Sequence, residues 1–596
     1  MSETRRIIRE ALRAVLTGPL GLPADSPLLD EALALESPRE ESHGDLTSVA
    51  AMRLTKSLRR SPRELGKALI DALAASGALA DVVEKADLAG PGFVNFTLKK
   101  SWVEKDAARC RADARLGVEP AAAPRSVVVD FSAPNVAKPM HVGHIRSTII
   151  GDSISRILKL LGHKVVRDNH LGDWGTQFGM IIHGLKTKGL ADSVASLGVN
   201  GIEKIYREVN DRIEAEGDDG ATASAARAEV VKLHSGDAEN RRIWQALMAA
   251  SLPELDATYA RLGVSFDVTL GESYYDAMLP PVAADLEAKG LARESDGALV
   301  IFYEGEKFPP FLVRKKDGAF LYAATDLATV KYRVDTWAAD WMIYVVDGRQ
   351  QLHFNQLFEA ARTWGYSRVR FEHPWFGSIL GEDGRPFRTR AGGTVRLSEL
   401  LDEAESRALA VVEARSTDIS PEEKRNIARV VGIGALKYAD LSQNRTSDYV
   451  FSWDKMLALQ GNTAPYMQYM YARVRSIFRK GGLDAEKIGT VPLTALRGQS
   501  PVSPYRLDTP EEMRLAKGLI GFGGAVEQAG EQLRPNVIAT CLYDLAGRFS
   551  AFYDKCPVLQ APDEPTRLSR LMLCDHTAAV IKLGLDLLGI EVVEQM

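Results

Sequence analysis

Residues 125–170 constrain the fold more than any other stretch of this chain. RSVVVDF (125–131) is a short β-branched run without alternation, the pattern of a strand buried on both faces of a parallel sheet. A helical pattern follows in IRSTIIGDSISRILKLLG, with Gly162 placed to cap its carboxyl end. HKVVRDNH then has the composition of a second strand. Strand, helix and strand at this spacing make one β-α-β unit, so the expected architecture is α/β, a Rossmann-like doubly wound parallel sheet. ADWMIYVVD (339–347), followed by helical HFNQLFEAARTWG, repeats the pattern. The polar helical stretch 185–265 between them is expected as an insertion rather than a core element.

Three domains are expected. An α+β domain over 1–115 starts with a helix spaced by Ile7, Ile8, Leu12, Val15 and Leu16. It continues with a second helical stretch, SVAAMRLTKSLRRSPRELGKALIDALAAS, and ends in GPGFVNFTLKK, a turn and a strand. On that strand Phe93, Asn95 and Thr97 share one face and Val94, Phe96 and Leu98 the other. LGVEPAAAPR (116–125) reads as a linker, the sheet domain spans 116–400, and 401–596 is almost entirely helical in pattern. KGGLDAEKIGTVPLTALRGQSPVSPYRLDTP is expected as a surface loop.

Composition narrows the class. Hydrophobic residues make up 45% and charged residues 26%, which excludes a mostly disordered or fibrous chain. No apolar run reaches the length of roughly 18 residues that a spanning helix requires. The start, MSETRRIIREALRAVL, mixes acids with its arginines and lacks an apolar signal core, so a cytoplasmic location is expected. Cys110, Cys541, Cys556 and Cys574 form no close pairs, which argues against a disulfide framework or a cysteine zinc site. The net charge of −5 does not exclude a local basic face.

FSAPNVAKPMHVGHIRSTIIGD (131–152) sits between the first strand and its helix, where a doubly wound sheet binds ligands. It brings Lys138, His141, Gly143 and His144 to a helix N-terminus, whose dipole favours phosphate. Gly143 removes a side chain where a nucleotide must come close, and two imidazoles can act on a leaving pyrophosphate. A surface pair or half a metal site is the plainer reading of His-x-x-His. Asp168, His170, Asp173 and Trp174 have a metal-like look, but nothing completes a ligand set and no metal site is assigned.

His141-Val-Gly-His144 is similar to the His-Ile-Gly-His signature of class I aminoacyl-tRNA synthetases. The longer string SAPNVAKPMHVGHIRSTIIGD resembles arginyl-tRNA synthetases, as do DNHLGDWGTQFG, LYAATDLA, GEDGRPFRTRAGGTV, GNTAPYMQYMYARVRSI and the ending LGLDLLGIEVVEQM. The resemblance implies a ligase that activates L-arginine with ATP and transfers it to the 3′-terminal adenosine of tRNA(Arg), usually only with tRNA bound. Magnesium would arrive with ATP, held by phosphates and water. The second class I signature, a lysine-bearing loop, corresponds to Pro386-Phe387-Arg388-Thr389-Arg390, where Arg388 and Arg390 stand in place of lysines. Which of Lys138, Arg388 and Arg390 takes over that work stays open.

The same resemblance points to Asn135, Glu272, Tyr322, Asp326 and Gln350 as the arginine pocket. A guanidinium, planar and permanently charged, calls for carboxylates and a rigid aromatic neighbour. Taken alone, Asp326 reads as a helix N-cap. His353 could face the nucleotide or be an ordinary buried histidine. For tRNA, Tyr466, Tyr469, Arg473 and Phe478 lie at helical spacings, with Arg475, Arg479 and Lys480 interleaved. An amphipathic core helix explains the same pattern. The resemblance adds Tyr553 and Met596 near the anticodon, and Phe93 and Asn95 as readers of the tRNA elbow on an exposed face. A monomer is expected, without a membrane partner or an editing module. A nucleotidyltransferase of the same sheet type and a catalytically decayed tRNA-binding relative stay open as alternatives.

Overall fold

The computed structural model describes residues 2–36, 38, 40–387, 395–415, 419–483 and 504–596. Ser126–Phe131 forms the middle of a five-stranded parallel sheet. Across the sheet the order is Arg370–Glu372, Trp341–Val345, Ser126–Phe131, Lys164–Leu171 and Val268–Gly271. Chain order reverses at Ser126–Phe131, which opens a crevice beyond the carboxyl ends of that strand and of Trp341–Val345.

The unalternating valines are explained by two cores. Val127, Val129 and Phe131 face the helix Val142–Leu160 through Ile145, Ile149 and Ile154. Val128 faces the helices Tyr322–Trp337 and Gln351–Ala361 through Ala324, Leu327 and Leu357. Gly162, at φ +86°, follows the first helix in the left-handed conformation that closes helix ends. Arg333, fully buried on Tyr322–Trp337, lies 2.5 Å from Asp130 and 2.8 Å from Asp168, and so fastens that helix to two strands.

One expectation about this block needs correction. The insertion comprises Val194–Glu216, Ala221–His234 and Ala238–Leu262, and its last helix is part of the core. Ile243, Leu247, Tyr259 and Leu262 pack into the same cluster as the sheet. An antiparallel sheet of Ala292–Ser295, Ala298–Ile301 and Phe311–Arg314 was also not anticipated, because strands of four residues carry too little alternation to read.

The N-terminal block is an antiparallel four-stranded sheet with the helices Ser2–Thr17 and Pro62–Ser76. The expected second helical stretch is broken, because Ser61 and Glu64 form a capping box with Pro62 at the first helical position. The strand Phe93–Leu98 buries Val94, Phe96 and Leu98 as its alternation predicts. Among the described residues the long helices of the last block are Leu397–Arg415, Pro421–Leu441, Ala464–Lys480, Pro510–Gln532, Asn536–Lys555 and Glu564–Leu587. It meets the sheet domain through the parallel pairing of Ile379–Leu380 with Tyr449–Val450 and through the buried ion pair of Arg146 with Asp440 at 2.9 Å. Most of the expected surface loop, 484–503, lies outside the described residues. No helix among the described residues is long and apolar enough to cross a membrane.

Candidate active site

The connection from Ser126–Phe131 to its helix is strained and fully braced. Ser132, Ala133 and Ala137 have φ of +72°, +44° and +66°, which non-glycine residues hold only when their surroundings insist. Ser132 N–H donates to Ser147 Oγ at 2.8 Å, and Ser147 donates to the Val345 carbonyl at 2.6 Å. Ala133 N–H donates to Asn169 Oδ1 at 3.2 Å. Tyr259, from the insertion, lies 2.9 Å from Ser132 Oγ and accepts from Asn169 Nδ2 at 3.2 Å. Sequence reasoning missed this buried polar set, since its members are far apart in the chain.

His141 is the N-cap of Val142–Leu160. Its Nδ1 accepts from Gly143 N–H at 3.1 Å, and His144 Nδ1 accepts from His141 N–H at 3.1 Å. With both Nδ1 atoms accepting, hydrogen-bond geometry assigns the proton of each neutral ring to Nε2. Burial, then His141, pushes His144 down to about 3. Burial, then Lys138, also lowers His141. Both rings are therefore neutral donors at pH 7. Gly143 has a reason beyond nucleotide approach, because a Cβ there would lie 2.8 Å from the His141 ring. Lys138 stands over the Tyr206 ring at 3.8 Å. Arg388 and Arg390 lie outside the described residues. The residues that follow, Val395–Leu397, bond to Met140 and Val142 through backbone contacts of 2.9 and 3.0 Å, beside the two histidines.

A second group of site residues is acidic. Tyr322 and Asp326 share the helix Tyr322–Trp337, and Glu272 opens the short helix Glu272–Tyr275 after the edge strand. Asp326 is not a cap. Leu321 holds that position, and Asp326 Oδ2 lies 2.5 Å from His353 Nε2. Burial would lower His353, yet the bond to Asp326 leaves it raised. His353 thus meets Asp326, one of the residues expected around arginine. Burial, then Asp326 and Asp173, pushes Glu272 up to about 8. Tyr322 is exposed, and burial of its remainder with Glu272 and Asp326 raises its phenol. Asn135 bridges to Gly172, and Gln350 ends the turn after Trp341–Val345. The metal-like residues have other partners: Asp168 pairs with Arg333, and Asp173 accepts from Ser273. A cavity of about 510 Å³ between helix Gln351–Ala361 and Leu533 includes none of these site residues in its lining.

Comparison with known proteins places this geometry. Residues 112–453 match the family model for the class I (R) tRNA synthetase catalytic domain. Residues 2–98 match the arginyl tRNA synthetase N-terminal domain, and 467–596 the DALR anticodon binding domain. Curated relatives named arginine–tRNA ligase include that of Erwinia tasmaniensis, 44% identical over 97% of each chain, and that of Shewanella amazonensis, 46% identical over 96% of each. The chain belongs to the arginyl-tRNA synthetase family. The activity of that family is the ATP-driven ligation of arginine to tRNA. Among solved structures, the arginyl-tRNA synthetase of Plasmodium falciparum superposes with a TM-score of 0.80 at 26% identity, covering 100% of this chain and 99% of its own. That of Thermus thermophilus gives 0.78 at 28%, covering 99% and 100%.

Some residues assigned from the arginyl-tRNA synthetase resemblance to tRNA contact are placed differently from expectation. Asn95 is 7% exposed and accepts from Thr47 Oγ1 at 2.7 Å, so it does not stand on an open reading face. Phe93, on the same side, is half-buried. Tyr469 is exposed, and the Arg473 guanidinium lies 4.3 Å over the Tyr553 ring. Phe478 is a core residue, and Tyr466 is half-buried with its hydroxyl 3.5 Å from Ser550. Arg475 and Arg479 hold Glu594 at 2.7 and 2.8 Å. Met596 packs against the small cluster of Ala408, Val412 and Ile427.

Proposed function

We propose that the chain activates L-arginine with magnesium-bound ATP and transfers the arginyl group to the 3′-terminal adenosine of tRNA(Arg). The arginine carboxylate attacks the α-phosphorus, the bond to the β-phosphate oxygen breaks, and pyrophosphate leaves. His141 and His144 donate from Nε2 to the triphosphate at the helix N-terminus, where charge builds in the transition state. Lys138, Arg388 and Arg390 supply the cationic charge. Asn135 and Gln350 hold the polar head of arginine, Glu272 and Asp326 its guanidinium, and Tyr322 its flat face. In the second step the 2′-hydroxyl of the terminal adenosine attacks the arginyl carbonyl and AMP leaves. Magnesium rides on the triphosphate, held by phosphates and water.

The observation that carries this reading is the pairing of sites in one crevice. A cluster of carboxylates, one of them raised to about 8, gathers beyond the strands next to the one whose helix is capped by two neutral imidazoles, and the Asn135–Gly172 bridge joins the two loops. Such a site suits a cation on one side and a polyphosphate on the other. Residues 1–115 would grip the tRNA elbow from the side of the strand that carries Phe93, 116–400 would carry the chemistry, and 401–596 would reach the anticodon through Tyr469, Arg473, Tyr553 and Met596. We place the chain in the cytoplasm as a monomer. Exchange of labelled pyrophosphate into ATP tests the chemistry: it should require arginine and tRNA(Arg) together. Exchange supported equally by lysine or citrulline would overturn the arginine assignment.

A further inference from the structure

The string DNHLGDWGTQFG leaves one buried acid without a role in the reaction above. Asp173 is 3% exposed, in the loop that follows Lys164–Leu171. The neighbouring strand Val268–Gly271 runs directly into the single helical turn Glu272–Tyr275. A helix start leaves backbone N–H groups that need acceptors, and a side chain at the N-cap commonly supplies one. Here the N-cap is Gly271, which has none.

Asp173 supplies the acceptor from across the strand pair. One carboxylate oxygen accepts from Ser273 N–H at 2.9 Å and the other from Ser273 Oγ at 2.6 Å. A Cβ on Gly271 would lie 2.1 Å from the Asp173 carboxyl, so the cap fits only because residue 271 is glycine. The same loop reaches the far end of the turn, where Trp174 Nε1 donates to Asp276 Oδ1 at 3.2 Å. The loop itself is held by Trp244 Nε1, which donates to the Asp173 carbonyl at 2.8 Å, and by His234, stacked 4.6 Å from Trp174. Glu272 lies between the glycine that makes room for the cap and the serine that receives it.

We infer that Asp173 is a positioning residue of the guanidinium pocket, which fixes the turn that presents Glu272 to the substrate. The inference rests on the proposed role of Glu272. It assigns Asp173 no contact with substrate. A merely structural acid would affect folding or all substrates alike, whereas this one acts through Glu272.

The test is a double-mutant cycle on the full chain, read by arginine-dependent pyrophosphate exchange with tRNA present. A hydrogen bond to a charged group typically contributes enough that Asp173→Ala should raise the KM for arginine by about 10- to 100-fold. The KM for ATP should stay within about threefold. Ser273→Ala, which removes only the hydroxyl donor, should raise the arginine KM by a smaller factor and serves if Asp173→Ala fails to fold. In a Glu272→Gln background, Asp173→Ala or Ser273→Ala should add less than about twofold, because contacting residues that act as a unit are not additive. Full additivity, or equal rises in the KM for arginine and ATP, would overturn the inference. An unchanged arginine KM in Glu272→Gln would instead overturn the reading of Glu272 on which it rests.

Discussion

Glu272→Gln changes the proposed arginine site by one titratable group and little in shape. In the empty site burial, then Asp326 and Asp173, holds Glu272 at about 8, so at pH 7 most molecules carry the neutral acid. A guanidinium favours the carboxylate, so binding arginine should expel that proton. Affinity should therefore rise with pH up to the free-site value and level off above it. Ionising a group one unit below its pKa costs about 1.4 kcal/mol, roughly a tenfold weaker arginine KM at pH 7 than at pH 9. His353 acts in the same direction, because its proton neutralises Asp326 until pH exceeds its raised value. The α-amino group of arginine titrates with both proteins. Both effects cancel in the ratio of KM between variant and wild type, which isolates Glu272. That ratio should grow about tenfold from pH 7 to pH 9, approaching at high pH the roughly 2–5 kcal/mol loss typical of a truncated buried charge pair. Pyrophosphate exchange at saturating ATP and tRNA measures it. Calorimetry in two buffers of different ionisation enthalpy should show close to one proton released per arginine at pH 7. A ratio that is constant from pH 6.5 to 9 would refute the reasoning.

His141→Ala and His144→Ala should each lower kcat by about 10²- to 10³-fold with arginine KM nearly unchanged, as expected for donors that act on transition-state charge. Since burial and His141 hold His144 at about 3, single-turnover rates should show no inflection from its protonation between pH 5 and 8. Arg333→Met should leave Asp130 and Asp168 buried without their cation and destabilise the fold by about 3–5 kcal/mol in urea titration. Phe93→Ala should raise the KM for tRNA and blunt discrimination at the elbow, whereas Tyr553→Ala should do so at the anticodon. Equal responses of both variants to tRNA altered at either place would remove the assignment.

What was legible in the sequence follows the range of the interaction. The valine run, the helix after it and the histidine pair are local patterns, and they appear in the structure as read. Tyr322 and Asp326 stand four residues apart on one helix. Asp326 looked like a cap because a carboxylate near a helix start usually is one; the backbone began the helix four residues earlier. Tyr259, Arg333 and Asp173 were not legible as site supports. Each meets its partners at separations of about 90 to 200 residues, and nothing beside them in the chain marks the contact. Asn95 was misjudged differently: alternation gave its side of the strand, but the adjacent strand Leu46–Ser48 brings Thr47 opposite it.

The crevice solves two opposite electrostatic problems a few residues apart, and the fold separates them by strand. On the proposed reading the loop after Ser126–Phe131 receives a polyanion, and there the protein offers helix-end N–H groups and neutral imidazole donors. Neutral donors suit that task, since two protonated imidazoles with ring centroids 3.9 Å apart would repel each other when the site is empty. On the same reading a cation is received where Asp173, Glu272 and Asp326 gather on separate elements. Like charges gathered in an empty site are destabilising, and the chain relieves them locally: a proton on Glu272, a histidine on Asp326, a serine turn on Asp173. Arginine can replace the first of these without disturbing the third. That ordering makes the proton on Glu272, rather than the architecture of the pocket, the part of the site that substrate binding changes.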